Sequence, residues 1–229
     1  MEIEQTIDGK TVRLFRGGEN DSPLVVLLSY QPFGEEVLTL AHQRTSEPVN
    51  ILEITGMRWH DELSPWPAEP AFRGDLGYRG EGKAFLNMLD KVILPTTLES
   101  LSLHPAKTAI MGYSLAGLFA LYAGMECDRF DAVISVSGSL WFDGFLDYAK
   151  QHRVSHSVQY VYLSLGEKEP FTKNPRMSQV GRCTQELASH LQSLGVACEM
   201  RWNSGGHFND ETKRQADGVA SYLRHLAQK

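Results

Sequence analysis

The sequence predicts an α/β fold, with a single, mostly parallel sheet flanked by helices on both faces. Three observations carry that expectation. Apolar runs of strand length recur at residues 24–28, 108–111, 132–136 and 160–165, separated by stretches whose apolar residues return every three or four positions. The first run, Leu-Val-Val-Leu-Leu, is continuous rather than alternating, as in a strand covered on both sides. Between the second run and a helical stretch sits Gly112-Tyr113-Ser114-Leu115-Ala116, which reads as a sharp strand-to-helix turn.

Each element has its own signal. Residues 3–7 and 11–15 flank Asp8-Gly9-Lys10, a hairpin centred on Asp-Gly. Pro23 introduces the strand at 24–28, and Ser29-Tyr30-Gln31-Pro32 follows as a loop. Residues 35–44 form a helix whose apolar side carries Val37, Leu38, Leu40 and Ala41, and 49–55 is the next strand. Residues 83–101 are helical in pattern, with Phe85, Leu86, Leu89, Val92 and Ile93 on one side. Pro95 should kink or split them, because its ring removes a helical N–H donor. The strand at 108–113 then leads through the turn at Ser114 into a helix over 115–125, rich in Ala, Leu and Met. Strands at 132–136 and 160–165 come next. Met177, Val180, Cys183, Leu187, Leu191 and Leu194 mark an amphipathic helix stopped by Gly195. A last strand at 197–202, a Gly-rich loop at 203–208 and a final helix at 210–227 complete the chain.

Residues 56–82 stand apart. They hold Trp59, His60, Pro65, Trp66, Pro67 and Pro70, with Arg58, Arg73 and Arg79, and show neither a helical nor a strand period. A loop of this length is uncommon unless it is functional or disordered, and disordered segments are poor in aromatics. The stretch is therefore expected to be an ordered excursion beside a pocket.

Composition narrows the function. With 229 residues, 42% hydrophobic and 22% charged, residues 1–229 are expected to form one domain. A net charge of −6 argues against nucleic acid or an anionic membrane as the main partner, and no apolar run reaches the length of a membrane span. The first residues, Met1-Glu2-Ile3-Glu4-Gln5, lack the basic and apolar segments of a secretory signal. The three cysteines, Cys127, Cys183 and Cys198, are widely spaced and read as reduced core residues, which fits a cytoplasmic protein. No metal is expected, and the oligomeric state is left open.

Chemistry enters at Ser114. The small residues two positions to either side of it, Gly112 and Ala116, suit a serine on a strained turn, where those neighbours approach closely. A serine hydroxyl needs a base, and the base needs an orienting acid; in a doubly wound sheet such groups gather at the C-terminal ends of strands. His207, in the loop after the last strand, has that placement, with His60 of the aromatic excursion as its rival. For the acid, Glu169 follows the penultimate strand and is preferred to Glu167, with Asp143 as the third candidate. The oxyanion hole should combine the Leu115 N–H with one from Tyr30 or Gln31; Pro32 has none to offer. Trp59, Trp66, Trp141 and Phe142 are candidate walls of a substrate pocket, and Arg58, Arg73 and Arg79 candidate contacts for an anionic substrate.

Taken with Ser137-Gly138-Ser139-Leu140-Trp141-Phe142, Gly166-Glu167-Lys168-Glu169, Gly205-Gly206-His207-Phe208 and Leu63-Ser64-Pro65-Trp66-Pro67-Ala68, the segment from Gly112 to Tyr122 resembles the esterases of the esterase D and enterochelin-esterase group. The likeness runs in order over roughly residues 23–227, and Ala116 stands where that family usually has glycine. The resemblance implies an α/β-hydrolase fold and no cofactor. It also implies hydrolysis of a small-molecule carboxylic ester through a Ser114–His207–Glu169 triad and an acyl-enzyme. Because the group also holds feruloyl esterases, S-formylglutathione hydrolases and acyltransferases, it does not fix the substrate. A siderophore-type esterase, an acyltransferase or peptidase on the same triad, and a non-catalytic binding protein keeping the fold are the alternatives.

Overall fold

The computed structural model describes residues 2–72 and 74–228. Arg73, one of the three arginines considered above for an anionic substrate, lies outside them. The elements in chain order are β1 (Glu2–Ile7), β2 (Lys10–Gly17), β3 (Leu24–Leu28), α1 (Gly34–His42), β4 (Val49–Thr55), α2 (Trp59–Glu62), β5 (Pro67–Ala68), β6 (Tyr78–Arg79) and α3 (Gly82–Met88). A π-helical turn, Leu89–Ile93, leads into α4 (Leu94–Ser100), followed by β7 (Thr108–Tyr113), α5 (Leu115–Glu126), β8 (Ala132–Val136), α6 (Phe145–Gln151), β9 (Tyr160–Gly166), α7 (Val180–Ser193), β10 (Ala197–Asn203) and α8 (Glu211–Ala227).

Eight strands form one sheet in the order β1-β2-β4-β3-β7-β8-β9-β10. The hairpin β1–β2 and the pair β2–β4 are antiparallel, and every later neighbour is parallel. The alternation of a strand's side chains divides the core in two. Val26, Leu28, Ile110, Val133 and Leu163 point into the layer of α3, α5 and α7. Val25, Leu27, Met111, Ile134 and Tyr162 point into the layer of α1 and α8. All residues of β3, β8 and β9 are consequently buried, which is why β3 reads as an unbroken apolar run and β8 and β9 as apolar runs interrupted by the buried serines Ser135 and Ser164. At the sheet's edge β10 has no fully buried residue.

Four local features depart from, or add to, the sequence pattern. Pro95 does not split the helix: the chain stays helical from α3 to α4 and widens into the π turn just ahead of the proline, accommodating its missing N–H. Residues 56–82 are not free of regular structure, because α2 and the paired β5 and β6 lie within them, elements too short to give a period. There the Glu62 carboxylate anchors α2 to the sheet through buried Lys10, 2.8 Å away. Helix α6 lies between the strands at 132–136 and 160–165, where the sequence pattern gives no helix. Finally, α1 is capped from outside itself, since the fully buried Glu53 of β4 accepts the N–H groups of Phe33 (2.6 Å) and Gly34 (2.8 Å).

Candidate active site

The C-terminal ends of β7, β8, β9 and β10 meet at one corner of the molecule. Ser114 joins β7 to α5 with φ 58° and ψ −122°, a conformation held from both sides by its N–H on Val136 O (3.0 Å) and its carbonyl receiving Ser139 N (3.0 Å). Gly112 is required here: a Cβ on it would stand 2.3 Å from the Ala116 carbonyl carbon and 2.6 Å from the Ala116 methyl. With no side chain at position 112, the turn can carry alanine at 116.

Glu169 is delivered by the turn that leaves β9. Backbone bonds from Glu167 N to Asn203 O (2.8 Å) and Lys168 N to Gly205 O (3.0 Å) tie that turn to the loop after β10. Gly166 allows the approach, because a Cβ there would sit 2.6 Å from Gly205 O and 3.0 Å from Glu169 Oε1. His207 rides on the β10 loop, which turns at Gly205 with φ 89° and is closed by Gly206 N donating to Asn209 Oδ1 (2.8 Å). The outcome is a linear relay. His207 Nε2 lies 3.0 Å from Ser114 Oγ, and His207 Nδ1 lies 2.7 Å from Glu169 Oε2. Tyr113 OH donates to the His207 carbonyl, fixing the backbone behind the ring.

The Glu169 side chain is only 4% exposed. Burial by itself would push its carboxyl up, but hydrogen bonding and charge from His207, the Gly166 N–H and the Ser137 hydroxyl outweigh that and hold it below the usual value. The carboxylate beside the imidazole is therefore ionised near neutrality. That fixes the Nδ1–H tautomer and leaves Nε2 free to accept a proton from Ser114. The other two acid candidates are elsewhere: Glu167 is exposed, and the Asp143 carboxylate pairs with Arg176 at 2.9 Å. His60, the rival base, pairs with buried Asp75 at 3.1 Å and packs on Tyr78, inside the 56–82 excursion.

Two cavities share Ser114, His207 and Phe208. One, of about 220 Å³, is walled by Trp141, Thr172, Met177 and Val180. The other, of about 310 Å³, is walled by Tyr30, Trp59, Tyr113 and Glu211. Tyr30 donates its hydroxyl to Glu211 (2.7 Å) and packs edge-on against Trp59. Trp59 and Trp141 are thus beside the serine, whereas Trp66 and Phe142 line neither cavity. Phe142 is 1% exposed and packs with Tyr78, and Trp66 pins the excursion through its indole N–H on Asp143 O (2.9 Å). Leu115 is the first residue of α5, where the amide has no acceptor within the helix, and Tyr30 lies two residues past the end of β3. Arg58 is engaged with Glu62 and Glu81, and Arg79 faces Asp61 at 3.7 Å.

One residue of this corner escapes sequence reasoning. Arg214 of α8, 2% exposed, points its guanidinium among Glu169, Ser137 and the loop that bears His207. A charged residue in an amphipathic helix reads as solvated; the available signal was that Arg214, Gly218 and Ser221 share the face that packs on the sheet. His152 and His156 have the i, i+4 spacing of a helical ligand pair, yet α6 ends at Gln151. His152 stacks on Tyr148, while His156 lies 3.5 Å from Asp128. Among the described residues no group of three or more His, Cys, Asp or Glu side chains is placed to hold a metal ion, and no helix is long and apolar enough to cross a membrane.

A family model described as "Putative esterase" matches residues 56–209. The chain is 24% identical over 164 residues to the uncharacterized protein YbbA of Bacillus subtilis, covering 70% of this chain and 66% of that one. It is 32% identical over 110 residues to the iron(III) enterobactin esterase of Escherichia coli, covering 44% of this chain and 26% of that one. The chain therefore spans less than two thirds of either relative's length. Among solved structures, the siderophore hydrolase EstA of Aspergillus nidulans superposes with a TM-score of 0.73 at 17% identity, over 98% of this chain and 93% of that one, a likeness of α/β-hydrolase fold.

Proposed function

Matched by its model over more than half its length, the chain belongs to this esterase family, and from that premise we propose that it is a serine esterase. It hydrolyses a small-molecule carboxylic ester through an acyl-enzyme. Ser114 Oγ attacks the ester carbonyl while His207 Nε2 takes its proton; Glu169 stabilises the imidazolium that forms. The tetrahedral oxyanion is met by the N–H groups of Leu115 and Tyr30. His207 returns its proton to the leaving alcohol, then takes one from the water that releases the acid and regenerates Ser114. Trp59 and Trp141 wall the two cavities on either side of the scissile bond.

The observation that carries this reading is the relay itself: 3.0 Å from Nε2 to a serine held at positive φ, and 2.7 Å from Nδ1 to a buried carboxylate. A siderophore-type ester is the second reading, favoured by the activity named for the Escherichia coli relative. The test is turnover of short p-nitrophenyl esters, set beside a catecholate trilactone, a peptide and an alcohol acceptor. Ser114→Ala and His207→Ala are each expected to lower kcat for the ester by about 10⁴-fold or more with an unchanged melting temperature. Undiminished turnover in either folded variant contradicts the mechanism.

A further inference from the structure

The acid and the base of the proposed triad sit on different loops, and a single side chain of a third element touches both. Arg214 Nη1 donates to Glu169 Oε1 (3.3 Å) and to Ser137 Oγ (3.1 Å). Its Nη2 donates to the carbonyls of Ser204 and Gly206, each at 2.9 Å, immediately before His207. Glu169 Oε1 also receives Gly166 N and Ser137 Oγ, each at 2.7 Å. One carboxylate oxygen is thus saturated by three donors, leaving Oε2 to the imidazole. Ser137, itself at φ 48°, belongs to the end of the neighbouring strand, so the guanidinium fastens three strand ends at once.

We propose that Arg214 is a positioning residue for the proposed reaction: its planar fork locks the Glu169 carboxylate and the His207 loop into one geometry. The inference rests on the triad reading given above. A planar guanidinium is suited to the task because it presents two N–H edges in fixed register, which an ammonium does not. The other ionisable groups facing the pair are Tyr113 from β7, whose hydroxyl is on the His207 carbonyl, and Glu211 and Tyr30, which share the cavity wall next to the ring. Glu211 and Tyr30 hydrogen-bond each other.

The experiment is the measurement of kcat and KM for a neutral p-nitrophenyl ester in the wild type, Arg214→Met and Arg214→Lys, with circular dichroism to establish folding. In Arg214→Met, kcat is expected to fall about 100-fold from misplaced groups while KM stays nearly unchanged. Arg214→Lys keeps the charge and loses the fork, so its kcat remains about tenfold low. A folded Arg214→Met variant with the wild-type kcat overturns the proposal. If that variant does not fold, an Arg214→Lys enzyme with full kcat does the same. Failure of the underlying reading looks different: the wild type then hydrolyses no ester, or Ser114→Ala retains its turnover.

Discussion

The corner that carries Ser114, Glu169 and His207 and the excursion at residues 56–82 both border the cavity of about 310 Å³, yet they are held in different ways. At the corner the fastening is backbone geometry and buried charge. Ser114 and Ser137 are at positive φ, Gly112 and Gly166 admit no Cβ, and Arg214 reaches three strand ends. In the excursion α2 is anchored by the buried Glu62–Lys10 pair, but the stretch from Trp66 to Ala71 is held by side chains reaching backbone carbonyls: Trp66 on Asp143 O, Arg176 on Glu69 O and Pro70 O, and Asn174 on Ala71 O. The excursion leaves Phe72 at 53% and Leu76 at 98% exposure. The difference teaches where tolerance lies. Reacting groups need placement within a fraction of an ångström, so they sit on what cannot move, while a substrate wall can be built on what can.

The largest effect that would break this contrast is in the acid. Glu169→Gln is expected to lower kcat by about 10³-fold in ester hydrolysis, because the amide no longer holds the Nδ1–H tautomer or balances the imidazolium. Glu167→Gln, on an exposed side chain in the same turn, should stay within about twofold. The reverse pattern would reassign the acid.

Glycine substitutions test the fastening directly. Gly112→Ala forces a methyl to 2.3 Å from Ala116 backbone atoms and is expected to cost about 3 kcal/mol in urea unfolding. Gly74→Ala, at φ 90° with nothing within 4 Å, meets only backbone strain and should cost about 1 kcal/mol. Equal costs would mean the corner is no more tightly built than the excursion.

The smallest effect is in acid. The carboxyl of Glu169 is held below its ordinary value of 4.5, so the stability it contributes is complete above that value and is lost as pH falls through its folded one. Unfolding free energy should therefore decline on acidification below about pH 4.5, and less steeply in Glu169→Gln. Identical slopes would show that the carboxylate is not stabilised by its partners.

Much of this was legible because local and global demands coincide. Strands covered on both faces are apolar at most positions, so β3, β7, β8 and β9 announced themselves, and the strand-end rule then singled out the loops bearing Ser114, Glu169 and His207. What escaped notice depends on contacts between distant segments. Arg214 is polar on a buried face because the groups it satisfies come from β8, β9 and the β10 loop, and no window of sequence around it contains them. Glu53 reads as a strand residue and serves as a helix cap, for the same reason. Helix α6 was hidden by its length of seven residues, and the roles of Trp66 and Phe142 by the fact that an aromatic anchoring a loop and one walling a pocket have the same sequence signature.

The central claim is that the Ser114 hydroxyl is activated by His207. A fluorophosphonate probe, with its adduct mapped by mass spectrometry and its labelling rate followed in the wild type and in His207→Ala, tests that most directly. The expected result is a single adduct on Ser114, formed at least about 100-fold faster in the wild type than in the variant. An adduct on another residue, or labelling of Ser114 at the same rate without the imidazole, would contradict it.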